Sequence, residues 1–292
     1  MKGGNTPMEG HKTGLVLEGG ALRGLFTAGI LDVFMENGIS FDGCIGVSAG
    51  AAFGCNIKSH QIGRVLRYNL KYCNDPRYCS VHSLLKTGDL FGADFCYNQL
   101  PNVLDPFDEE TYDADPMEFY VVCTDIEDGS PLYQLCNRAN EETYTYMRAS
   151  ASMPMVSRPV EINGHRYLDG AIADAIPLQF FLDKGYSRNV VILTQPRGYV
   201  KEKVSGGIKL LLPGKPAVAR GMLTRHLQYN ASRDLAFQLE QEGSVFVLCP
   251  DETLPISHTT HDPATIQQTY DLGRAVAEQA LPNLKTWLRQ EE

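Results

Sequence analysis

Ser48 sits in Gly46-Val47-Ser48-Ala49-Gly50, a G-x-S-x-G pentapeptide that ends the strand-like run Phe41-Asp42-Gly43-Cys44-Ile45. Ala51 to Cys55 follow and can open a helix. A serine at a sharp strand-to-helix turn is held in a strained conformation with its hydroxyl exposed. Gly46 and Gly50 stand where larger side chains would collide across so tight a turn. The NH of Ala49 and the start of the helix would face an oxygen that gains negative charge, which is what acyl transfer requires.

A second glycine-rich turn lies upstream. Thr13 to Glu18 reads as a buried strand, Gly19-Gly20-Ala21-Leu22-Arg23-Gly24 as a turn, and Leu25 to Asn37 as a helix with apolar residues at helical spacing. Small residues let backbone NH groups approach a ligand, and a helix start adds a positive dipole end, so the turn is shaped for an anion. That anion is either a tetrahedral oxyanion or a phosphate. A dinucleotide site is the alternative, but its G-x-G-x-x-G pattern meets Ala21 at the middle position, although Asp42 stands about where a ribose-binding acid would.

A serine hydroxyl needs a base to take its proton. None of the seven histidines has a context that marks it as that base: His11, His60 and His82 lie in polar surroundings, and His165 follows an Asn-Gly turn. His258 and His261 form H-x-x-H between Pro255 and Pro263, which reads as a loop without a third metal ligand. Among carboxylates, Asp42-Gly43 leads into the strand at the end away from Ser48, and Asp128-Gly129 has the form of a hairpin turn. Asp169-Gly170 ends a short strand beside residues small enough to admit another chain. A buried aspartate has a raised pKa and, in a short hydrogen bond, can act as a base. The residues therefore favour a Ser48–Asp169 dyad over a Ser-His-Asp triad. A turn or helix-cap role for Asp169 stays open, as does a triad completed by His226, His258 or His261.

Four blocks, in order, resemble the patatin-like phospholipases, most closely bacterial ones. Gly19 to Gly24 is similar to the family's oxyanion loop, Gly46 to Gly50 to its nucleophile elbow, Arg148-Ala149-Ser150-Ala151-Ser152-Met153-Pro154 to its A-S-x-x-x-P block, and Asp169-Gly170-Ala171 to its D-G-G/A motif. The blocks span roughly residues 14 to 180, with Pro177 just beyond the last. The resemblance implies a three-layer α/β/α fold with a mainly parallel sheet and the elbow after the second strand. It implies Ser48 as nucleophile, Asp169 as base, NH groups of Gly20, Ala21 and their neighbours as oxyanion hole, Arg23 ordering that loop or touching a head group, and cleavage of acyl-lipid esters without metal or cofactor. Ala21 departs from the pattern, since many members carry a third glycine there. The rivals are an α/β-hydrolase with a triad, whose elbow normally follows several strands, and a lipid-binding protein without turnover.

At 292 residues one α/β domain can absorb the whole chain. The net charge of −9 argues against nucleic-acid binding. Met1 to Gly10 lacks the apolar core of a secretory signal, and eight cysteines without C-x-x-C pairs read as reduced thiols, so a cytoplasmic location is expected. Arg197 to Arg225 is locally basic, with one acid, Glu202, and it contains Ile208-Lys209-Leu210-Leu211-Leu212-Pro213. Such a segment suits a mobile loop touching a lipid surface as well as it suits an ordinary surface loop. Residues 73 to 115 read as an irregular cap. Strands are expected near 117–124, 131–136, 158–162, 166–168, 189–193 and 244–248. Helices are expected at 62–72, 141–150, 178–184, 217–242 and 263–290, the last interrupted near Pro282.

Overall fold

The computed structural model describes residues 11–289; the reading of Met1 to Gly10 falls outside them. β1 (Thr13–Leu17) is followed by a 3-10 turn (Ala21–Arg23) and α1 (Gly24–Glu36). β2 (Gly43–Val47) runs through Ser48 into α2 (Ala49–Lys58), and α3 (Arg64–Tyr72) follows. The cap segment holds α4 (Val81–Thr87), a π-helix (Phe95–Leu104) and α5 (Glu109–Ala114), so it is less irregular than its turn residues imply. Ser80 and Asp108 each accept a hydrogen bond from a backbone NH three residues on, at 2.9 Å, and so cap α4 and α5. Pro101 lies inside the π-helix, where its missing NH breaks the ordinary helical ladder.

β3 (Glu118–Asp125) and β4 (Pro131–Leu135) form the expected hairpin, with Gly129 at φ +85°. α6 (Glu141–Ser150) is capped by Asn140. β5 (Val160–Ile162) and β6 (His165–Asp169) are joined through Asn163 and Gly164, both at positive φ, as a tight hairpin requires. α7 (Leu178–Asp183), β7 (Arg188–Ile192), the single turn α8 (Ile208–Leu211), α9 (Pro216–Gln241), β8 (Val245–Leu248) and α10 (Pro263–Arg289) complete the chain. α10 runs through Pro282 without a break. It is held along α1, where Gly29 and Gly273 bring the two backbones together: a Cβ on Gly273 would stand 2.0 Å from the Phe26 carbonyl oxygen. The basic segment 197–225 is not one loop, because residues 216 to 225 already belong to α9.

The protein is a three-layer α/β/α fold. β3, β2, β1, β7 and β8 are parallel and adjacent in that order, while β4 and β6 pair antiparallel with β3, and β5 pairs antiparallel with β6. Strand side chains alternate between two cores. Leu15, Leu17, Cys44, Val121 and Ile192 face α1, α2, α3 and α10; Val16, Ile45, Val47, Val122 and Val191 face α7 and α9. Burial of the parallel strands on both faces explains their unbroken apolar runs.

One feature of the sheet sets up the site. β3 is long enough to pair with two strands in succession along the same edge. β2 pairs with it up to Val47↔Val122, and β6 pairs with it from Asp169↔Cys123 onward. β4 holds the other edge, since it pairs with Tyr120 to Thr124 and so overlaps both. β2 is parallel to β3 and β6 antiparallel, so their carboxyl ends meet.

Candidate active site

Ser48 stands in the gap between those two strand ends, at φ +55° and ψ −119°, a conformation open to few L-residues. The turn survives because its neighbours are glycine. A Cβ on Gly46 would fall 2.4 Å from the Gly50 carbonyl oxygen, and one on Gly50 would fall 2.5 Å from that of Leu17. The Ser48 NH donates to Ser150 Oγ at 2.8 Å. The Ser48 Oγ donates to Asp169 Oδ2 at 2.8 Å, with both residues at least nine-tenths buried.

Asp169 has its second oxygen occupied as well: Oδ1 accepts from the Ala171 NH at 2.8 Å and caps the 3-10 turn Gly170–Ile172. The helix-cap role and the serine contact coexist on one carboxylate. The backbone around it is pinned too, because the Asp169 NH donates to the Ser152 carbonyl and Thr124 Oγ1 donates to the Asp169 carbonyl, each at 2.8 Å. Gly170 packs so closely on β3 that a Cβ there would lie 2.2 Å from the Val122 carbonyl oxygen. Burial raises the Asp169 pKa above its ordinary value, while the charge of Arg225, the Ala171 NH and Ser48 pull it partly back.

The glycine turn after β1 flanks the serine. A Cβ on Gly19 would meet the Val47 carbonyl at 2.9 Å, and one on Gly24 the Ala49 methyl at 2.8 Å. Ala21 adopts φ +48°, in the region that favours glycine, so its methyl is tolerated at a cost of roughly 1 kcal/mol. Among the described residues, the NH groups of Ala21 and Ala49 have no acceptor. Leu22 is buried and Arg23 half-buried, with Arg23 Nη1 donating to His258 Nε2 at 3.1 Å.

From Ser48 an open cavity of about 880 Å³, its mouth included, extends under the cap. Its walls are largely apolar: Ala52, Phe53, Tyr97, Leu100, Phe107 and Met147 among others. Tyr78, Phe91, Tyr97, Leu100 and Phe107 of the segment 73–115 line this cavity together with Ser48. Asp89 ties that segment down, accepting from the Arg158 NH at 2.8 Å and facing Arg148 Nη2 at 3.5 Å.

Among the described residues, no histidine bonds to Ser48 or Asp169. His261 Nδ1 contacts the Cys73 carbonyl, and the buried Nδ1 of His226 has no partner among the described residues. No group of three His, Cys, Asp or Glu side chains converges as metal ligands there. Ser150, Ser152 and Thr124, which carry no catalytic signature of their own in the sequence, hold the two site residues in place. The first two lie inside the block Arg148 to Pro154, so their order in the chain was the available signal; for Thr124 there was none.

A serine strained at a strand–helix turn, a glycine turn beside it and an aspartate on a neighbouring strand define a class of α/β proteins built around a reactive hydroxyl. The chain belongs to the patatin-like phospholipase family, whose model matches residues 15–182. Residues 215–289 match a second model, a domain of unknown function, DUF6363. The chain is 33% identical over 200 residues to the uncharacterized protein YjjU of Escherichia coli (strain K12), covering 65% of this chain and 54% of that one. It is 27% identical over 176 residues to the lysophospholipase NTE1 of Saccharomyces cerevisiae, covering 59% of this chain and 10% of that one. It therefore spans about half of YjjU and a tenth of NTE1. The crystal structure of VipD from Legionella pneumophila aligns with a TM-score of 0.43 at 13% identity, over 92% of this chain and 67% of that one.

Proposed function

We propose that the protein is a serine esterase that cleaves acyl-lipid esters, whether phospholipid, lysophospholipid or glyceride. The observation that carries the reading is the 2.8 Å bond from Ser48 Oγ to a buried Asp169 at the head of an apolar cavity under the cap. Asp169 takes the serine proton as Oγ attacks the ester carbonyl. The free NH groups of Ala21 and Ala49, with those of Gly20 and Leu22 nearby, receive the oxyanion. The alcohol leaves with the proton, and an acyl-enzyme remains. Water, giving its proton to Asp169, then releases the fatty acid. Arg23 braces the glycine turn through His258 and Thr194. Membership of the phospholipase family and the lysophospholipase name of NTE1 support a lipid substrate.

The protein works as one domain, since β8 and α10 of the second matched region complete the same sheet and core as the motifs. It meets lipid from the side through α8. Ile208 and Leu212 anchor that turn in a small core, while Leu210 and Leu211 stand 86% and 62% exposed in a segment that also carries Lys203, Lys209 and Lys215. Exposed apolar side chains in a lysine-bearing segment suit an anionic lipid surface. Among the described residues no helix is long and apolar enough to cross a membrane.

The test is a fluorophosphonate probe on the folded protein, followed by incubation with a mixed lipid extract and mass spectrometry of the products. Labelling at Ser48 and release of fatty acid are expected, both lost in Ser48→Ala and Asp169→Asn. Absence of labelling in the unsubstituted protein overturns the reading.

A further inference from the structure

Cationic side chains from three separate segments gather beside the dyad, at the carboxyl ends of β1 and β7. These strands are neighbours, yet α1 and α9, which follow them, lie on opposite faces of the sheet. The chain therefore diverges there, at a switch point of the kind where open α/β sheets bind ligands.

Arg23 enters from the turn after β1, with Nε 3.5 Å from Thr194 Oγ1 and Nη1 donating to His258 Nε2. Arginine can only donate, so His258 is neutral with its proton on Nδ1; burial, then Arg23, Arg225 and Lys201, hold its pKa down. Lys201 enters from the segment after β7, its Nζ 4.5 Å from the centroid of the Tyr229 ring. Arg225 lies one turn before Tyr229 on α9, and its Nε is buried without a partner among the described residues. None of the three cations forms an ion pair with a carboxylate among those residues. Two carboxylates are near, and both are engaged: Glu18 accepts from the Thr194 NH and the Tyr229 hydroxyl at 2.6 Å each, and Asp169 accepts from Ser48 and Ala171. Lys201 feels the charges of Arg225, Glu18 and Arg23, and Asp169 that of Arg225, so the three cations and the two acids share one neighbourhood.

We propose that Arg23, Lys201 and Arg225, with His258 orienting Arg23, form a subsite for the phosphate of a phospholipid or lysophospholipid head group. The inference rests on the esterase reading and narrows it to phosphate-bearing esters. Burial, then Arg225 and Arg23, pushes the Lys201 pKa down to about 8. A phosphate among these groups replaces that repulsion with charge-assisted hydrogen bonds, and arginine suits its geometry. A neutral glyceride leaves the three charges unmatched.

The experiment compares kcat/KM for lysophosphatidylcholine and for a monoacylglycerol of the same acyl chain, using the full chain. The ratio should fall about tenfold or more in Lys201→Gln and in Arg225→Gln, and should recover in Lys201→Arg. An unchanged ratio in both Gln variants overturns the subsite. A calorimetric arm measures glycerophosphocholine and inorganic phosphate binding to Ser48→Ala with and without Lys201→Gln. Binding of both, weakened by Lys201→Gln, supports the phosphate chemistry. Inorganic phosphate binding alone would mark a free-phosphate site and overturn the head-group assignment. Should the unsubstituted protein cleave neither ester, the esterase reading fails, while the calorimetry still decides the subsite.

Discussion

Val47 and Asp169 occupy consecutive pairing positions on one edge of β3, opposite Val122 and Cys123. The serine after Val47 therefore meets the aspartate through backbone register rather than through the reach of long side chains. Two strands butting carboxyl end to carboxyl end against a third make a rigid mount, and Thr124, Ser150 and Ser152 fasten it.

The raised Asp169 pKa sets the acid limit of catalysis. The acid limb of kcat/KM on a soluble short-chain ester should lie above 3.8, the ordinary aspartate value. Arg225 pulls that pKa down, so Arg225→Gln should move the limb to higher pH. A limb that stays in place or moves down would show that the Arg225 charge does not reach the carboxylate.

The same burial makes the site a thermodynamic burden. A carboxyl whose folded pKa exceeds its unfolded pKa contributes stability that is present at low pH and lost as pH rises through the folded value. Asp169 therefore contributes less stability at pH 7 than at low pH. Asp169→Asn keeps the shape and removes the buried charge, so thermal unfolding at pH 7 should shift upward, with the gain shrinking towards pH 3.8 and below, while ester cleavage falls by about a thousandfold or more. A lower melting temperature at pH 7 would contradict the sign of the shift.

The elbow should tolerate no added methyl. Gly46→Ala places a Cβ 2.4 Å from a backbone oxygen and should cost about 1–3 kcal/mol in denaturant unfolding, with loss of activity. Gly198→Ala, where nothing lies within 4 Å, should change stability by no more than about 0.5 kcal/mol.

Contact with lipid should depend on the exposed turn of α8. Leu210→Glu combined with Leu211→Glu should weaken sedimentation with anionic vesicles by about tenfold or more, since burying each leucine is worth about 1.5–3 kcal/mol. Turnover of a soluble short-chain ester reads the fold separately, and equal loss on both would mark damage to it.

The chain alone determined most of the elements, because their signals are local. Apolar runs of four to eight residues bounded by glycine specify the buried strands, and Asp128-Gly129 and Asn163-Gly164 specify the hairpins. It also determined Ser48, because a strained turn needs glycine two residues to each side, and that spacing is visible in one dimension. Pro282 misled for the same reason: a local helix-breaking residue is outweighed by close packing of α10 on α1, which no local pattern records. The cap helices were hidden by turn residues and prolines. Only the tertiary structure decided that Asp169 reaches Ser48, and that Arg23, Lys201 and Arg225 lie near one another. Those proximities depend on which strands pair, in what register and along which edge, and pairing is a property of the assembled sheet rather than of any one segment.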